Sequence, residues 1–436
     1  MIENNRIIIV DDVEDDLRKL SKVFYDHGIG CRTFTYDGMS FPDTPLKGVR
    51  FAFFDIHLSP SPETVALFST LKDAISKYIS EENGMYVLVF WSNRKDLVPE
   101  FIKFINRTDD SFKANLKPIA LEVLDKNEFI NPDSDLETKL NTILSNDIVE
   151  CLIKFDESVL SAAAQTLDKI LSIIPNKEEW GRNEQFSSDC KIVFSKIAEA
   201  SYGFTQAKEE PDAAIKEAIT PVFESILKQN DDSCWKKFLT PLRDAGDSSG
   251  LKFPVSVSTA KLNSIFHIDS YNIDHRLKTE RGAVCPIIQE RIEDVFKNVF
   301  KITYRNWIES TFSFKKDTNI DDLIETSRPV LIEFSAACDF SQNKKRTEKY
   351  LLGVIIDAKY KIKPAGEYTL ILPPFEHSGQ VIVIGLNFNF NFNFIDNAMF
   401  ESIEKQPIFL IRKGMMDMIG NKYASHISRI GITSFL

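Results

Sequence analysis

The first 130 residues constrain this chain most, because short apolar runs alternate there with helical patterns and end in polar residues. Residues 7–10 (IIIV) read as a buried strand that stops at two adjacent carboxylates, Asp11 and Asp12. Val13, Leu17, Leu20 and Phe24 then recur at helical spacing, and Gly28 stops the helix. Residues 31–36 give a second strand, and 49–54 a third that ends at Asp55. Ser61 and Pro62 predict a helix start for the apolar series Val65, Phe68, Leu71, Ile75 and Ile79. A fourth strand, 86–91, ends at Ser92; a helix follows over 97–105; a fifth strand, 119–124, ends at Asp125 and Lys126. Such alternation predicts an α/β, doubly wound, parallel five-stranded sheet with helices on both faces.

Reactive groups in such sheets gather at the carboxyl ends of the strands. Asp11, Asp12, Asp55, Ser92 and Lys126 all fall at these ends. Carboxylates converging on one edge raise each other's pKa unless a cation neutralises them. Oxygen-only ligands favour a hard ion, and Mg2+ is the one expected. Beside such an ion a carboxylate can attack phosphorus and become an aspartyl phosphate. The Ser92 hydroxyl and the Lys126 ammonium would then bind phosphoryl oxygens.

The segments IIIVDD, FAFFDIHLSP, VLVFWSN and LDKNEF resemble the response-regulator receiver domain of two-component signalling, over about residues 1–130. The resemblance implies a flavodoxin-like fold with Asp55 as phosphoacceptor and Asp11, Asp12 and Asp55 as ligands of Mg2+. It also implies Ser92 as the hydroxyl switch residue, Lys126 as the phosphate-contacting lysine, and a histidine kinase as partner. The chain departs from the family pattern at Asn93, Asn127 and Val123, where a small residue, a proline and often an aromatic stand. The whole chain resembles the receiver-containing buffer regulator of Detocs-like anti-phage phosphorelays, which implies another regulator of the same relay as a second partner.

Residues 131–250 read as a helical connector. Leu136, Leu140, Ile143, Leu144, Leu152, Leu160, Leu167 and Leu171 form an apolar series up to Pro175. It predicts an ordinary core stripe rather than a coiled coil, because the heptad is not kept. Helices are expected over 180–201 and 213–227, with a loop at 208–212 and a polar boundary at 244–250 (DAGDSSG).

Residues 251–436 predict a β-rich α+β domain, with strands at 255–257, 265–268, 330–334, 351–356, 368–372, 381–384 and 409–412 and a closing helix over 414–427. The stretch NFNFNFNF alternates strictly, which places Phe388, Phe390, Phe392 and Phe394 on one face. The segment SAACDFSQNKKR, residues 335–346, resembles a short signature of uncharacterised bacterial domains. Within it Cys338 and Asp339 can be read as a nucleophile and its partner, with His267, His275 or His426 as base, or as metal ligands together with Cys285. A lone cysteine is more often a small core residue.

A net charge of -11 argues against DNA binding through bulk positive charge, and no helix-turn-helix pattern is present. No apolar run reaches the roughly 20 residues that cross a bilayer. Six cysteines without CxxC pairs suit a reducing cytoplasm. The expectation is a cytoplasmic signalling protein that takes a phosphoryl group on Asp55. A receiver-controlled enzyme with a site near Cys338 and Asp339, and a scaffold that is not phosphorylated, are the alternatives.

Overall fold

The computed structural model describes residues 6–26, 28–58, 63–107, 116–129, 138–139, 143, 147–175, 178–229, 234–335, 348–393 and 400–428. Two compact units are present: Met1–Ala164 with Ile226–Asp244, and Gln165–Ser225 with Ala245–Leu436.

The first unit is built on strands β1 (Ile7–Asp11), β2 (Arg32–Thr35), β3 (Phe51–Phe54), β4 (Val87–Ser92) and β5 (Ala120–Asp125). All pairs are parallel, in the order β2-β1-β3-β4-β5. That is the order of flavodoxin-like α/β folds. Both faces are covered. Ile8, Val10, Ala52, Phe54, Leu88 and Phe90 pack with Leu67, Phe68 and Leu71 of α2 (Thr64–Tyr78) and Phe101 of α3 (Val98–Arg107). Ile7, Ile9, Phe51, Phe53, Val87, Val89 and Trp91 pack on the other face with Leu17, Leu20 and Phe24 of α1 (Glu14–Asp26). Strands buried on both faces must be apolar throughout, which is why they show as unbroken runs in the sequence.

Several local expectations change here. Ser61 and Pro62 lie outside the described residues, and α2 starts later, at Thr64, with Glu63 as its N-cap. Ile79, expected on that helix, instead takes extended backbone and bridges Leu46. Leu136, Leu140 and Leu144 also lie outside the described residues. The helix α4 (Asp147–Leu171) does form, but Leu160 and Leu167 are exposed, whereas Cys151, Ser158, Ala162 and Thr166 are buried. Small side chains, rather than Leu160 and Leu167, are therefore the buried ones along it, while Leu152 and Leu171 are half-buried and Ile143 and Ile153 pack on the core of the first sheet. Further on, Trp180 is fully exposed and the next helix is Glu184–Tyr202. The loop expected at 208–212 shrinks to Glu210, between helices Phe204–Glu209 and Pro211–Leu227. Pro211 suits the first helical position because its missing N–H would be unpaired there anyway.

The second unit carries an antiparallel sheet. Its strands are β6 (Ile268–Asp269), β7 (Ala283–Pro286), β9 (Arg328–Glu333), β10 (Lys349–Asp357), β12 (Thr369–Ile371), β13 (Phe375–His377), β14 (Gln380–Asn393) and β15 (Phe409–Ile411). β8 (Phe312–Ser313) and β11 (Lys363–Pro364) form a separate two-stranded ribbon. The order is β12-β14-β10-β9-β7-β15-β6, with β13 also on β14. Residues 255–257, expected as a strand, form a turn in which Val255 is fully exposed. Residues 265–267 close the helix Thr259–His267, whose N-terminus Ser258 caps by accepting the Lys261 N–H. That cap fixes a helix where the apolar content suggested a strand.

The asparagine–phenylalanine stretch continues β14, but its phenylalanines divide between faces. Phe388 joins one core with Ile384 and Leu386, whereas Phe390 and Phe392 pack on the other, against Phe300. The cause is a register shift: Asn391 pairs with Leu351 and Leu386 with Gly353, so residues 387–390 lie opposite Leu352 alone. Extra residues at a bulge reverse the alternation beyond it. Phe394 lies outside the described residues.

Candidate metal centre

Parallel pairing of β1 with β3 brings two carboxylates side by side. Val10 lies opposite Phe54, and the Asp55 N–H donates to the Val10 carbonyl at 3.0 Å. Asp11 and Asp55 are thus neighbours on the carboxyl edge, and both are buried. Each is fixed by the backbone two residues ahead. The Val13 N–H donates to Asp11 Oδ1 at 2.9 Å, and the His57 N–H to Asp55 Oδ1 at 3.0 Å. These short turns leave the Oδ2 atoms for cations.

Lys126, the first residue after β5, fills that role. Its Nζ lies 2.6 Å from Asp11 Oδ2, 2.6 Å from Asp55 Oδ2 and 3.1 Å from Asp16 Oδ2, and its side chain is only 5% exposed. The three N–H donors of an ammonium match three carboxylates. Asp12 is exposed at the rim, and carboxylate oxygens of Asp11, Asp12 and Asp55 lie within 4.8 Å of one another.

The charges do not balance. Burial pushes Asp11 up to about 6, against the pull of Lys126. Asp12 is raised by burial and by the charge of Asp55. Burial would lower Lys126, but Asp55 and Asp11 outweigh it and hold the ammonium above its ordinary range. Burial likewise opposes ionisation of Asp16, and Lys126 and Lys19 overcome it, so Asp16 is lowered. Four carboxylates therefore share one buried ammonium, with Lys19 at the rim, 3.2 Å from Asp16. An all-oxygen donor set with excess negative charge and one exposed member fits a hard divalent cation that keeps some of its water. Asp11, Asp12 and Asp55 are the residues able to hold one.

Ser92 ends β4 opposite Asp125 and is buried, and its Oγ accepts the Arg94 N–H at 3.1 Å. It shares the carboxyl edge with the carboxylates but is not part of the ion-pair cluster. Asp125 turns outward to Lys95 at 2.8 Å, while Lys126 turns in. Asp16 is the member that sequence reasoning missed. Glu14, Asp15 and Asp16 together look like ordinary acidic residues in a helix's first turn.

Cys338 and Asp339 lie outside the described residues. Cys285 is fully buried, and burial pushes its thiol up to about 12, which suits a core residue rather than a nucleophile. His426 Nε2 sits 3.0 Å from Asn389 Oδ1. Among the described residues Asp11, Asp12 and Asp55 form the group able to hold a metal. Among the same residues no helix is long and apolar enough to cross a membrane. Compared with protein-family models, curated proteins and solved structures, the chain matches none.

Proposed function

We propose that the first unit is a receiver of the two-component class, in which Asp55 accepts a phosphoryl group from a histidine kinase. The observation that carries this reading is the Lys126 ammonium held between Asp11 and Asp55 on the carboxyl edge of the parallel sheet. In the reaction an Asp55 carboxylate oxygen attacks phosphorus. The new O–P bond forms as the P–N bond to the donor imidazole breaks, and the imidazole leaves with its electron pair. Mg2+, when bound, supplies charge neutralisation at the phosphoryl oxygens. The chain's own residues do the rest. The His57 N–H holds the Asp55 carboxylate in a fixed orientation. Lys126 reaches a phosphoryl oxygen and stays charged throughout. Burial limits the access of water to the acyl phosphate. The Ser92 hydroxyl, on the neighbouring strand end, is the donor for another phosphoryl oxygen.

The narrower role of a phosphoryl buffer in an anti-phage relay is supported by the resemblance of the whole chain, and the partners would be the kinase and a second regulator. The test is intact-protein mass after incubation with acetyl phosphate and Mg2+, for the native chain and Asp55→Asn. One phosphoryl adduct on the native chain alone is expected. No adduct from acetyl phosphate or from a phosphorylated histidine kinase would overturn the reading.

A further inference from the structure

We propose that Asp16 is a positioning residue that takes over the Lys126 ammonium when a divalent cation claims Asp11 and Asp55. The inference rests on the receiver reading and deepens it. Lys126 stands 2.6 Å from an oxygen of Asp11 and of Asp55, two of the three carboxylates that can hold the ion. An incoming dication therefore meets a positive charge already on its ligands, and the two cations repel. Lys126 cannot answer by moving into water, because its side chain is 5% exposed, and a buried ammonium without an anion is costly. Among the described residues Asp16 is the remaining carboxylate paired with it, at 3.1 Å, and stands outside the group of three. Its place in the first turn of α1 is fixed by the helix, and its longer separation leaves room to close. For Lys126 alone it is superfluous, since Asp11 and Asp55 already supply two negative charges. Its use appears once those charges are engaged elsewhere.

The experiment measures Mn2+ affinity of the full chain by electron paramagnetic resonance, with Mn2+ as probe of the hard-cation site. The proteins are the native chain, Asp16→Asn, Asp16→Glu, Lys126→Met and the double variant Asp16→Asn with Lys126→Met. Asp16→Asn is expected to weaken Mn2+ roughly fivefold, the effect of losing one partly exposed ion pair. Asp16→Glu restores most of the affinity, because the carboxylate is kept. In the Lys126→Met background the Asp16→Asn change shifts affinity by less than about twofold, since the residue acts through Lys126. Asp16→Ser, which also suits a helix start, serves the same comparison should asparagine disturb α1. Unchanged affinity in Asp16→Asn overturns the proposal, and so does an equal loss in both backgrounds, which would mark a long-range charge effect. Absence of Mn2+ binding by the native chain would overturn the receiver reading itself, so the two failures are distinct.

Discussion

In the first unit all strands run the same way, and three ionisable groups, Asp11, Asp55 and Lys126, are buried at the edge where they end. In the second unit the strands alternate in direction, and among the described residues the buried charge is a single carboxylate, Glu333, at the end of β9. Glu333 accepts the Ser335 N–H at 3.2 Å, from two residues along its own chain. The difference is one of topology. A parallel sheet delivers every strand end to one edge, so residues distant in sequence become neighbours. An antiparallel sheet sends successive strand ends to opposite edges, so charged groups at the strand ends are not gathered on one side. Collective charge chemistry is therefore expected at the parallel edge.

Removing the shared cation should break that contrast most severely. Lys126→Met leaves Asp11 and Asp55 buried together without a counter-charge. It should cost about 3–5 kcal/mol of stability at pH 7. Urea unfolding of the first unit would show it, and added Mg2+ should recover part of the loss. Glu333→Gln keeps shape and hydrogen-bonding capacity, and should cost much less in the second unit.

The second sheet has its own vulnerable point, which is steric rather than electrostatic. Gly282 precedes β7 with φ +88°, and a Cβ there would lie 2.3 Å from the Ile411 carbonyl oxygen. Both the conformation and the contact demand glycine. Gly282→Ala should destabilise the second unit by roughly 3 kcal/mol while the first unit still forms the Asp55 adduct. Separate thermal transitions, followed by hydrogen exchange, would check this. Loss of the adduct would show that the two sheets do not act separately.

A smaller effect comes from pH, and its presence or absence distinguishes the metal-free protein from the loaded one. Asp11 is raised from 3.8 to about 6. Between these values the folded chain holds a proton that the unfolded chain does not, so stability rises as pH falls. From pH 7 to pH 5 the gain is about 1.4 kcal/mol, and it stops growing below about pH 4, where the unfolded carboxyl is protonated too. Divalent-cation affinity must move the other way, weakening as pH falls through about 6, because the cation needs the carboxylate. Calorimetry over this range should show the gain on acidification without Mg2+ and almost none with saturating Mg2+, because the engaged carboxylate takes up no proton. Parallel slopes would mean that Asp11 is not a ligand.

What could be read beforehand follows the same physics. The parallel sheet was legible because strands buried on both faces leave continuous apolar runs, and the site was legible because Asp11, Asp12, Asp55 and Lys126 interrupt those runs at their ends. Asp16 was hidden because nothing in Glu14-Asp15-Asp16 separates an inward carboxylate from the outward ones; Glu14 pairs with Arg18 on the surface instead. The faces of Phe388 and Phe390 were misassigned because the reversal depends on pairing with Leu351 and Gly353, about forty residues away. Residues 265–267 are apolar enough to suggest a strand, and it is the Ser258 cap seven residues upstream that starts the helix running through them.

The smallest predicted effect concerns the leucine series of α4, where apolar content pointed to the wrong face. Leu160 is 56% exposed, whereas Ala162 is fully buried. Leu160→Ala should therefore change stability by no more than about 0.5 kcal/mol, as for an ordinary surface site. Ala162→Leu adds three carbons where the helix face is buried and should cost about 1–3 kcal/mol. Denaturant unfolding of the two variants decides the matter. If Leu160→Ala proves the costlier, Leu160 is covered in solution and the small side chains are not the buried ones. If the order holds, the burial pattern of α4 is set by close approach of small side chains, which hydrophobic periodicity alone does not register.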